Sequence, residues 1–444
     1  MTATVTQVQT VLSHPVSTIS PLVAKMKEHF LSLDIPLPIS SMPYFDLKPV
    51  ESNGPEVVTW FLDTRTMWPG ENIFSAKGAA EALSLISQPE QNVVTTKMFV
   101  ADARMSLGSA LLKRLFVSKT LGIPWKDVKF ARKGNEKHGK PCAVDEIGRP
   151  IDGIDFNVSH QNGLVALIGW DGRRHHRYSP NGHIQGILSP GFKRNDVMVG
   201  VDIVCVNERE SAQTTIDMEG FDGWVDVYDS IFSEEERWSM KYDVDYVTLL
   251  DGSILKASEL GRNDRCISRH KDISVPRPSG KDLTFSSELL IDAKLRRFYT
   301  YFCYKESYIK LAGEGLLAPW LRQLEFFNVR SPRPGTVARC STLGTWGEEV
   351  DDVEVRLHGR HVDDVKMKIQ AFEEDFMLST AVQGATQGLK IPAFTKLHLD
   401  KDILSHAHEN LTKSTAPAVK SPEVMPLLNK CPEALLSPWE SRYW

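Results

Sequence analysis

The stretch that decides the fold and the chemistry is Lys305-Glu306-Ser307-Tyr308-Ile309-Lys310, together with Gly200-Val201-Asp202 earlier in the chain. In a helix, Glu306 and Lys310 are four residues apart and lie about 40° from each other on one face, with Lys305 beside them. The first stretch therefore places an acid between two cations. Such a face is most often a solvated surface with weak salt bridges.

The residues before this motif favour a buried setting over a solvated one. The segment is rich in aromatic side chains, namely Phe298, Tyr299, Tyr301, Phe302 and Tyr304. Aromatic residues of this density are typical of a helix packed against a core. An acid on such a helix indicates a site.

The second carboxylate, Asp202, interrupts the apolar and β-branched run of residues 197–206, which predicts a buried strand. A buried carboxylate costs free energy unless it is paired, so Asp202 caps a turn, pairs with an arginine or belongs to a site. Two carboxylates on separate elements, with lysines beside one of them, suit Mg²⁺ holding a phosphate ester. The pattern indicates phosphoryl-type transfer.

Three further segments precede these motifs in order: Arg104 with Ser106-Leu107-Gly108, then Gly139-Lys140-Pro141, then Phe156-Asn157-Val158-Ser159-His160. Each alone is a weak signal. Together with the two opening stretches, across residues 100–315, they resemble the 4′-phosphopantetheinyl transferases of the surfactin-synthetase-activating (Sfp) type.

The resemblance implies an α+β fold, a pseudo-dimer of two similar subdomains with coenzyme A bound in the cleft between them. It implies Mg²⁺-dependent transfer of the phosphopantetheine arm to a serine hydroxyl of acyl and peptidyl carrier protein domains, with release of adenosine 3′,5′-bisphosphate. The insertions and extensions resemble the fungal broad-range members, which serve polyketide synthases, non-ribosomal peptide synthetases and the aminoadipate reductase of lysine synthesis, with fatty acid synthase as a further candidate. A dedicated fatty-acid carrier enzyme of the smaller, trimeric type is the alternative, so we expect a monomer.

The same resemblance implies roles for individual residues. Asp202 and Glu306 hold Mg²⁺, Glu306 accepts the serine proton directly or through a metal-bound water, and Lys310 is the better placed of the two lysines for the reacting phosphate. Coenzyme A is contacted by a set of basic and hydroxyl side chains: Arg65, Arg104, Lys140, Ser159, His160, Lys305 and Lys310.

One position departs from the family pattern. Many bacterial relatives carry a second acid two residues after the strand aspartate, where this chain has Val204. Water or a substrate oxygen then completes the magnesium shell, or another acid such as Glu208 does. Two other functions stay open, a different Mg²⁺-dependent phosphotransferase or nuclease and a non-catalytic carrier-binding module.

Composition sets the outer limits. The net charge of -5 in 444 residues argues against a general nucleic-acid binder. Six dispersed cysteines without a Cys-x-x-Cys pair are typical of reduced thiols in the cytoplasm. The N-terminus lacks a leader pattern and no run of eighteen apolar residues occurs, so we expect neither secretion nor a membrane span.

Four segments are expected along the chain: a loosely ordered arm over residues 1–45, an α+β subdomain over 46–195, a second over 196–412 with insertions, and a disordered tail over 413–444. Helices are predicted at 97–121 and 286–313, with a capping box at Ser233. Strands are predicted at 57–62, 156–159, 163–170, 323–330, 353–358 and 375–382, the last three in one antiparallel sheet. Residues 171–195 and 262–282 are expected to be insertions.

Overall fold

A computed structural model describes residues 56–133, 139–172, 197–206, 210–278, 280–315, 318–335, 343–384 and 389–411. The predicted N-terminal arm, C-terminal tail and nearly all of the insertion at 171–195 lie outside these residues, as does Glu208. No helix among the described residues is long and apolar enough to cross a membrane.

Within the described residues the chain forms eight α-helices and seventeen β-strands. The helices are α1 (Ala79–Ser84), α2 (Gln88–Thr95), α3 (Val100–Leu121), α4 (Glu210–Asp226), α5 (Glu234–Tyr242), α6 (Ala257–Leu260), α7 (Ser287–Ala312) and α8 (Ser405–Glu409). The strands are β1 (Val57–Asp63), β2 (Lys129–Arg132), β3 (Pro141–Val144), β4 (Ile154–Gln161), β5 (Leu164–Asp171), β6 (Met198–Cys205), β7 (Tyr246–Thr248), β8 (Ile254–Lys256), β9 (Asp272–Val275), β10 (Leu283–Ser286), β11 (Leu324–Phe327), β12 (Trp346–Val350), β13 (Glu354–Leu357), β14 (Arg360–His361), β15 (Val365–Phe372), β16 (Phe376–Gln383) and β17 (Thr395–Lys396).

Two four-stranded sheets form the centre of this mixed α and β structure. Their strand orders are β17-β1-β5-β4 and β12-β15-β16-β6. In each sheet, a strand that precedes a long helix (β1 or β6) pairs antiparallel with the second strand of a hairpin (β4-β5 or β15-β16). The first sheet therefore carries β4 at one edge, and the second carries β6.

Period-two alternation in the strands builds three apolar layers. Leu164, Ala166 and Ile168 of β5 join Val199 and Val201 of β6 in a core that the two sheets share. The residues between them on each strand face away from this shared core. They pack on α3 in the first sheet and on α7 in the second.

The two long helices end where the sequence predicts. Helix α3 ends at Gly122 and α7 at Gly313, and both glycines adopt the left-handed conformation that commonly closes a helix. The predicted capping box is present too, because Ser233 accepts a bond from the Glu236 N–H and the Glu236 carboxylate accepts one from the Ser233 N–H.

The part of the chain after β6 differs from the sequence-based prediction in three places. Strand β15 at the centre of the second sheet was not predicted. The predicted strands near residues 323–330 and 353–358 correspond to β11 and β13, which form a separate sheet with β14 and not one sheet with β16. The insertion at 262–282 contains β9, whose hairpin with β10 contributes to a small core of its own.

The chain returns to the first half near the end of the described residues. Strand β17 pairs parallel with β1, and Leu397, Ile403 and Ala407 join the core beneath α3. These residues were expected in the second subdomain, over residues 196–412.

Candidate active site

The site is built around a close approach of α7 to β6. A Cβ atom on Gly200 would lie 2.0 Å from the Ser307 carbonyl oxygen, so only glycine lets the helix lie directly on the strand. Ser307 also meets Ser379 of β16, with 2.9 Å between the hydroxyl oxygens. Asp202 is two residues after Gly200 and on the same face of β6. It is thereby brought to the charged residues of α7.

Three predicted site residues meet at this point. Lys310 Nζ lies 2.6 Å from Asp202 Oδ1 and 2.9 Å from Ser159 Oγ. Ser159 Oγ in turn donates to Asp202 Oδ1 over 3.0 Å. The cluster joins β4, β6 and α7, and it pairs the buried carboxylate that the strand sequence left without a partner.

Glu306 lies one helical turn before Lys310 and is 8% exposed. Burial by itself would lower the pKa of Lys310, but Asp202 and then Glu306 outweigh it, so the pKa of Lys310 is raised. Lys310 thus remains a cation held between two carboxylates.

His160 follows Ser159 on β4 and is half-buried. Burial, followed by the charges of Lys310, Lys97 and Lys113, lowers the pKa of His160 to about 4. The imidazole is therefore neutral at pH 7 and surrounded by cations, an arrangement that favours a polyanionic ligand.

Two of these cations were not identified from the sequence. Lys97 stands just before α3, and Lys113 lies within α3 above the Phe130 ring, with Nζ 5.3 Å from the ring centroid. The available signal was Lys113 beside Arg114 in the largely apolar stretch from Leu107 to Val117. It could not be used without knowing which side of α3 faces His160.

Lys305 points away from this cluster. Its ammonium is 1% exposed at the side chain and lies 2.9 Å from Glu236 Oε2. It also donates to the carbonyl oxygens of Leu321 and Leu324. Lys305 joins α7 to α5 and to the turn before β11, and its predicted contact with coenzyme A stays a prediction.

Arg65 is held by two carboxylates. It donates two bonds of 2.7 Å to Glu373 and bonds of 2.9 and 2.7 Å to Asp63. These hydrogen bonds raise the pKa of Arg65, those from Glu373 most. The bridge ties β1 to the β15-β16 hairpin.

Lys140 and Arg104 also bond within the protein. Lys140 is buried, donates to the Asp155 carboxylate and lies 2.6 Å from the Val199 carbonyl oxygen. Arg104 donates to the carbonyl oxygens of Trp68 and Gly70 over 3.2 and 3.3 Å. The predicted coenzyme A contacts of Arg65, Lys140 and Arg104 remain predictions.

The donor set at the cluster fits Mg²⁺ better than a metal held by protein alone. Among the described residues, no three His, Cys, Asp or Glu side chains come together as a metal site. Asp202 bonds to Lys310, and Glu306 lies one helical turn before that lysine and helps to raise its pKa. Two carboxylates leave coordination positions to water and phosphate, which is what Mg²⁺ prefers.

The chain is similar in sequence to several known proteins. The family described as "4'-phosphopantetheinyl transferase, N-terminal" matches residues 75–171, which include α3, β4 and β5. A 4′-phosphopantetheinyl transferase of Aureobasidium melanogenum is 59% identical over 80% of this chain and 99% of its own length. 4′-Phosphopantetheinyl transferase A of Aspergillus fumigatus is 31% identical over 75% of this chain and 85% of its own.

A third relative matches a shorter part of the chain. The L-aminoadipate-semialdehyde dehydrogenase-phosphopantetheinyl transferase of Schizosaccharomyces pombe is 31% identical over 26% of this chain and 41% of its own length.

Both of the longer matches are transferases and cover most of the chain, so this protein is a transferase. The chain belongs to the 4′-phosphopantetheinyl transferase family. The predicted family, its fungal character and the predicted enzyme class are confirmed.

Proposed function

We propose that this transferase moves the 4′-phosphopantetheine arm of coenzyme A to a serine hydroxyl of carrier protein domains, at the Ser159–Asp202–Lys310 cluster. The carrying observation is that residues from β4, β6 and α7 meet there as one bonded set. Neither half supplies this set alone. The identity of the transferred group, 4′-phosphopantetheine, is inferred from membership of the family.

The proposed fold is a pseudo-dimer with coenzyme A in the cleft between its halves. Support comes from the common order of a first strand, a long helix and a hairpin in both sheets. Of the basic side chains around His160, Lys97 and Lys113 belong to the first half, whereas Lys310 and both carboxylates belong to the second. A ligand with phosphates and a reacting phosphorus would therefore span the junction.

Asp202 and Glu306 would hold Mg²⁺, which supplies charge stabilisation at the pyrophosphate when bound. Lys310 would neutralise phosphate oxygens beside these carboxylates, because its raised pKa keeps it charged. Lys97, Lys113 and the neutral His160 would contact the remaining phosphates. The other predicted ligands, Arg65, Arg104, Lys140 and Lys305, are already engaged within the protein.

In the proposed reaction, the carrier serine oxygen forms a bond to the β-phosphorus of coenzyme A. The bond from that phosphorus to the bridging oxygen breaks, and adenosine 3′,5′-bisphosphate leaves. Glu306 accepts the serine proton, because it is a buried acid beside Lys310 and close to the cluster. Positioning and charge stabilisation supply most of the rate increase in such a transfer.

We propose carrier domains of polyketide synthases, non-ribosomal peptide synthetases and aminoadipate reductase as acceptors. The Schizosaccharomyces pombe relative, whose name refers to L-aminoadipate-semialdehyde dehydrogenase, supports the last of these. A monomeric state and a cytoplasmic location are parts of the same proposal.

The test is incubation of the protein with apo carrier domains of these three types, coenzyme A and Mg²⁺, followed by intact mass measurement. We expect each accepted carrier to gain one phosphopantetheine group, and its serine-to-alanine variant to gain none. Chelation of Mg²⁺ should stop the reaction.

Two outcomes would favour the alternatives. Tight binding of carriers without any mass gain would indicate a carrier-binding module. Hydrolysis of coenzyme A or of another phosphate ester without transfer would indicate a different Mg²⁺-dependent enzyme.

A further inference from the structure

The junction between the two sheets is made by side chains of one strand. Strands β4 and β6 belong to different sheets. The Asp155 carboxylate accepts a 2.9 Å bond from the Val199 N–H, and the Asn157 side-chain oxygen accepts a 3.0 Å bond from the Val201 N–H. Two residues further, Ser159 reaches Asp202.

Asp155, Asn157 and Ser159 form what we call the β4 ladder. They alternate along the strand, so all three point to the same side. Their partners on β6 advance in the same direction, from Val199 to Asp202. The last rung of the ladder lies inside the active-site cluster, whereas the first two rungs contact only the backbone of β6.

Lys140 adds a second link between the two strands at Asp155. It bonds to Asp155 and to the Val199 carbonyl oxygen, so it clamps both strands at once. It also lies near the end of α7, since a Cβ atom on Gly313 would lie 3.2 Å from Lys140 Cβ. Lys310 is three residues before that point. Lys140 therefore bonds to β4 and β6 and lies close to the glycine that follows α7.

We propose that Lys140, Asp155 and Asn157 are positioning residues that set the register of β4 against β6 and hence the contact of Ser159 with Asp202. This role accounts for the burial of a lysine and an aspartate, because the Lys140 ammonium uses two of its three N–H donors on Asp155 and on the Val199 carbonyl oxygen. The inference rests on the proposed function, because its main readout is the transfer reaction.

Asn157→Leu is the principal variant, since it removes one rung without leaving a buried charge. It should lower kcat by about 100-fold, the size of effect that a displacement of about 1 Å produces at an active site. The KM for coenzyme A should change little. Asn157→Asp keeps the accepting oxygen and should restore much of kcat, and the apolar replacement Val158→Ile, on the opposite face of β4, should behave nearly like the wild type.

Lys140→Met separates positioning from phosphate binding. The variant is compared with the wild type on coenzyme A and on 3′-dephospho-coenzyme A. If Lys140 positions the strands, kcat falls on both substrates and their ratio of kcat/KM is unchanged. A rise in KM confined to coenzyme A would identify Lys140 as a ligand of the 3′-phosphate and overturn the inference for this residue.

Amide hydrogen exchange supplies a readout that does not depend on activity. Asn157→Leu should speed exchange at the Val201 N–H, while the hairpin amides of β15 and β16 keep their rates. Unchanged exchange at Val201 and unchanged kcat would each overturn the ladder. If the wild type transfers nothing to any carrier, the proposed function fails, and hydrogen exchange alone decides whether the ladder holds the strands.

Discussion

The two halves of this molecule place opposite chemistry at the same position. Asp63 of β1 pairs with Leu164, the first residue of its hairpin partner, and Cys205 of β6 pairs with Phe376, the first residue of its own. Three residues before Asp63 stands Trp60, and three before Cys205 stands Asp202. Both side chains face the long helix of their half.

The contacts at this shared position differ in kind. Trp60 meets Phe116 of α3, with ring centroids 6.1 Å apart. Asp202 meets Lys310 of α7 through a 2.6 Å ion pair. An apolar pair stabilises its half without a desolvation cost, whereas a buried ion pair loses much of its attraction to desolvation. The first half thus supports the fold, and the second accepts weaker stabilisation in exchange for charged groups at the site.

Removal of the acid on α7 should give the largest effect. Glu306→Gln keeps the volume of the side chain but cannot accept the serine proton, so transfer should fall by about 10²- to 10⁴-fold. Binding of coenzyme A, measured by calorimetry, should remain close to that of the wild type. Transfer at the wild-type rate would remove Glu306 from the mechanism and leave the second half without its proposed base.

The ion pair itself can be tested against its apolar counterpart. Lys310→Met leaves the Asp202 carboxylate, 6% exposed, without its cation. The free energy of unfolding should fall by about 3 kcal/mol, the lower end for breaking a buried pair, because Lys310 is 20% exposed. Urea unfolding at pH 7 measures the change.

A double variant, Asp202→Leu with Lys310→Met, imitates the first half. It should recover most of the lost free energy of unfolding while transfer stays abolished. If the double variant is as unstable as Lys310→Met alone, an apolar pair cannot replace Asp202 and Lys310 in the way that Trp60 and Phe116 pack in the first half.

Close packing of helix on strand gives a third, smaller contrast. In Gly200→Ala the new Cβ would lie 2.0 Å from the Ser307 carbonyl oxygen and 2.7 Å from the Leu311 nitrogen, both in the backbone of α7. Overpacking should cost about 1 to 3 kcal/mol of stability. Thermal unfolding should show a lower midpoint, together with reduced transfer.

Gly108→Ala is the matched variant in the first half. Its Cβ would lie 3.0 Å from Thr64 Cγ2, a side-chain atom, and alanine gains about 1 kcal/mol over glycine inside a helix. The two effects should nearly cancel. Equal destabilisation by the two variants would show that α7 does not depend on Gly200 for its approach to β6.

The sequence predicted the helices and strands at the site better than the side-chain contacts between them. The charges of α7 and the apolar run of β6 were readable because each is a local pattern. The direction of Lys305 was not, because its partner Glu236 comes from α5, far away in the chain. The capping box at Glu236 was predicted from local spacing. The ion pair of the same carboxylate with Lys305 depends on the fold.

Buried lysines explain most of the remaining differences. Lys140 follows a glycine in a motif that resembles a ligand loop, and its partner Asp155 adjoins another motif. Strand β15 was missed although Met367 and Ile369 alternate with polar residues. Lys368 is buried there by bonds to Glu349 and to carbonyl oxygens near residue 391. Such pairs depend on long-range packing, which the sequence does not display.

The smallest effect concerns His160, a site residue of the first half whose ordinary pKa is 6.5. The folded pKa of His160, about 4, lies below the ordinary value of 6.5. Above pH 6.5 the imidazole is neutral in both states. As the pH falls from 6.5 toward 4, the unfolded chain takes up a proton that the folded protein refuses, so stability is lost.

At pH 5.5 this loss should reach about 1 kcal/mol, since one unit of pKa corresponds to about 1.4 kcal/mol. His160→Gln removes the group, so the difference in free energy of unfolding between wild type and variant should change by that amount between pH 7.5 and 5.5. Coenzyme A should shift the titration upward, because its phosphates stabilise the imidazolium. A pH-independent difference would mean that neither burial nor the charges of Lys310, Lys97 and Lys113 lower the pKa of His160 in the folded protein.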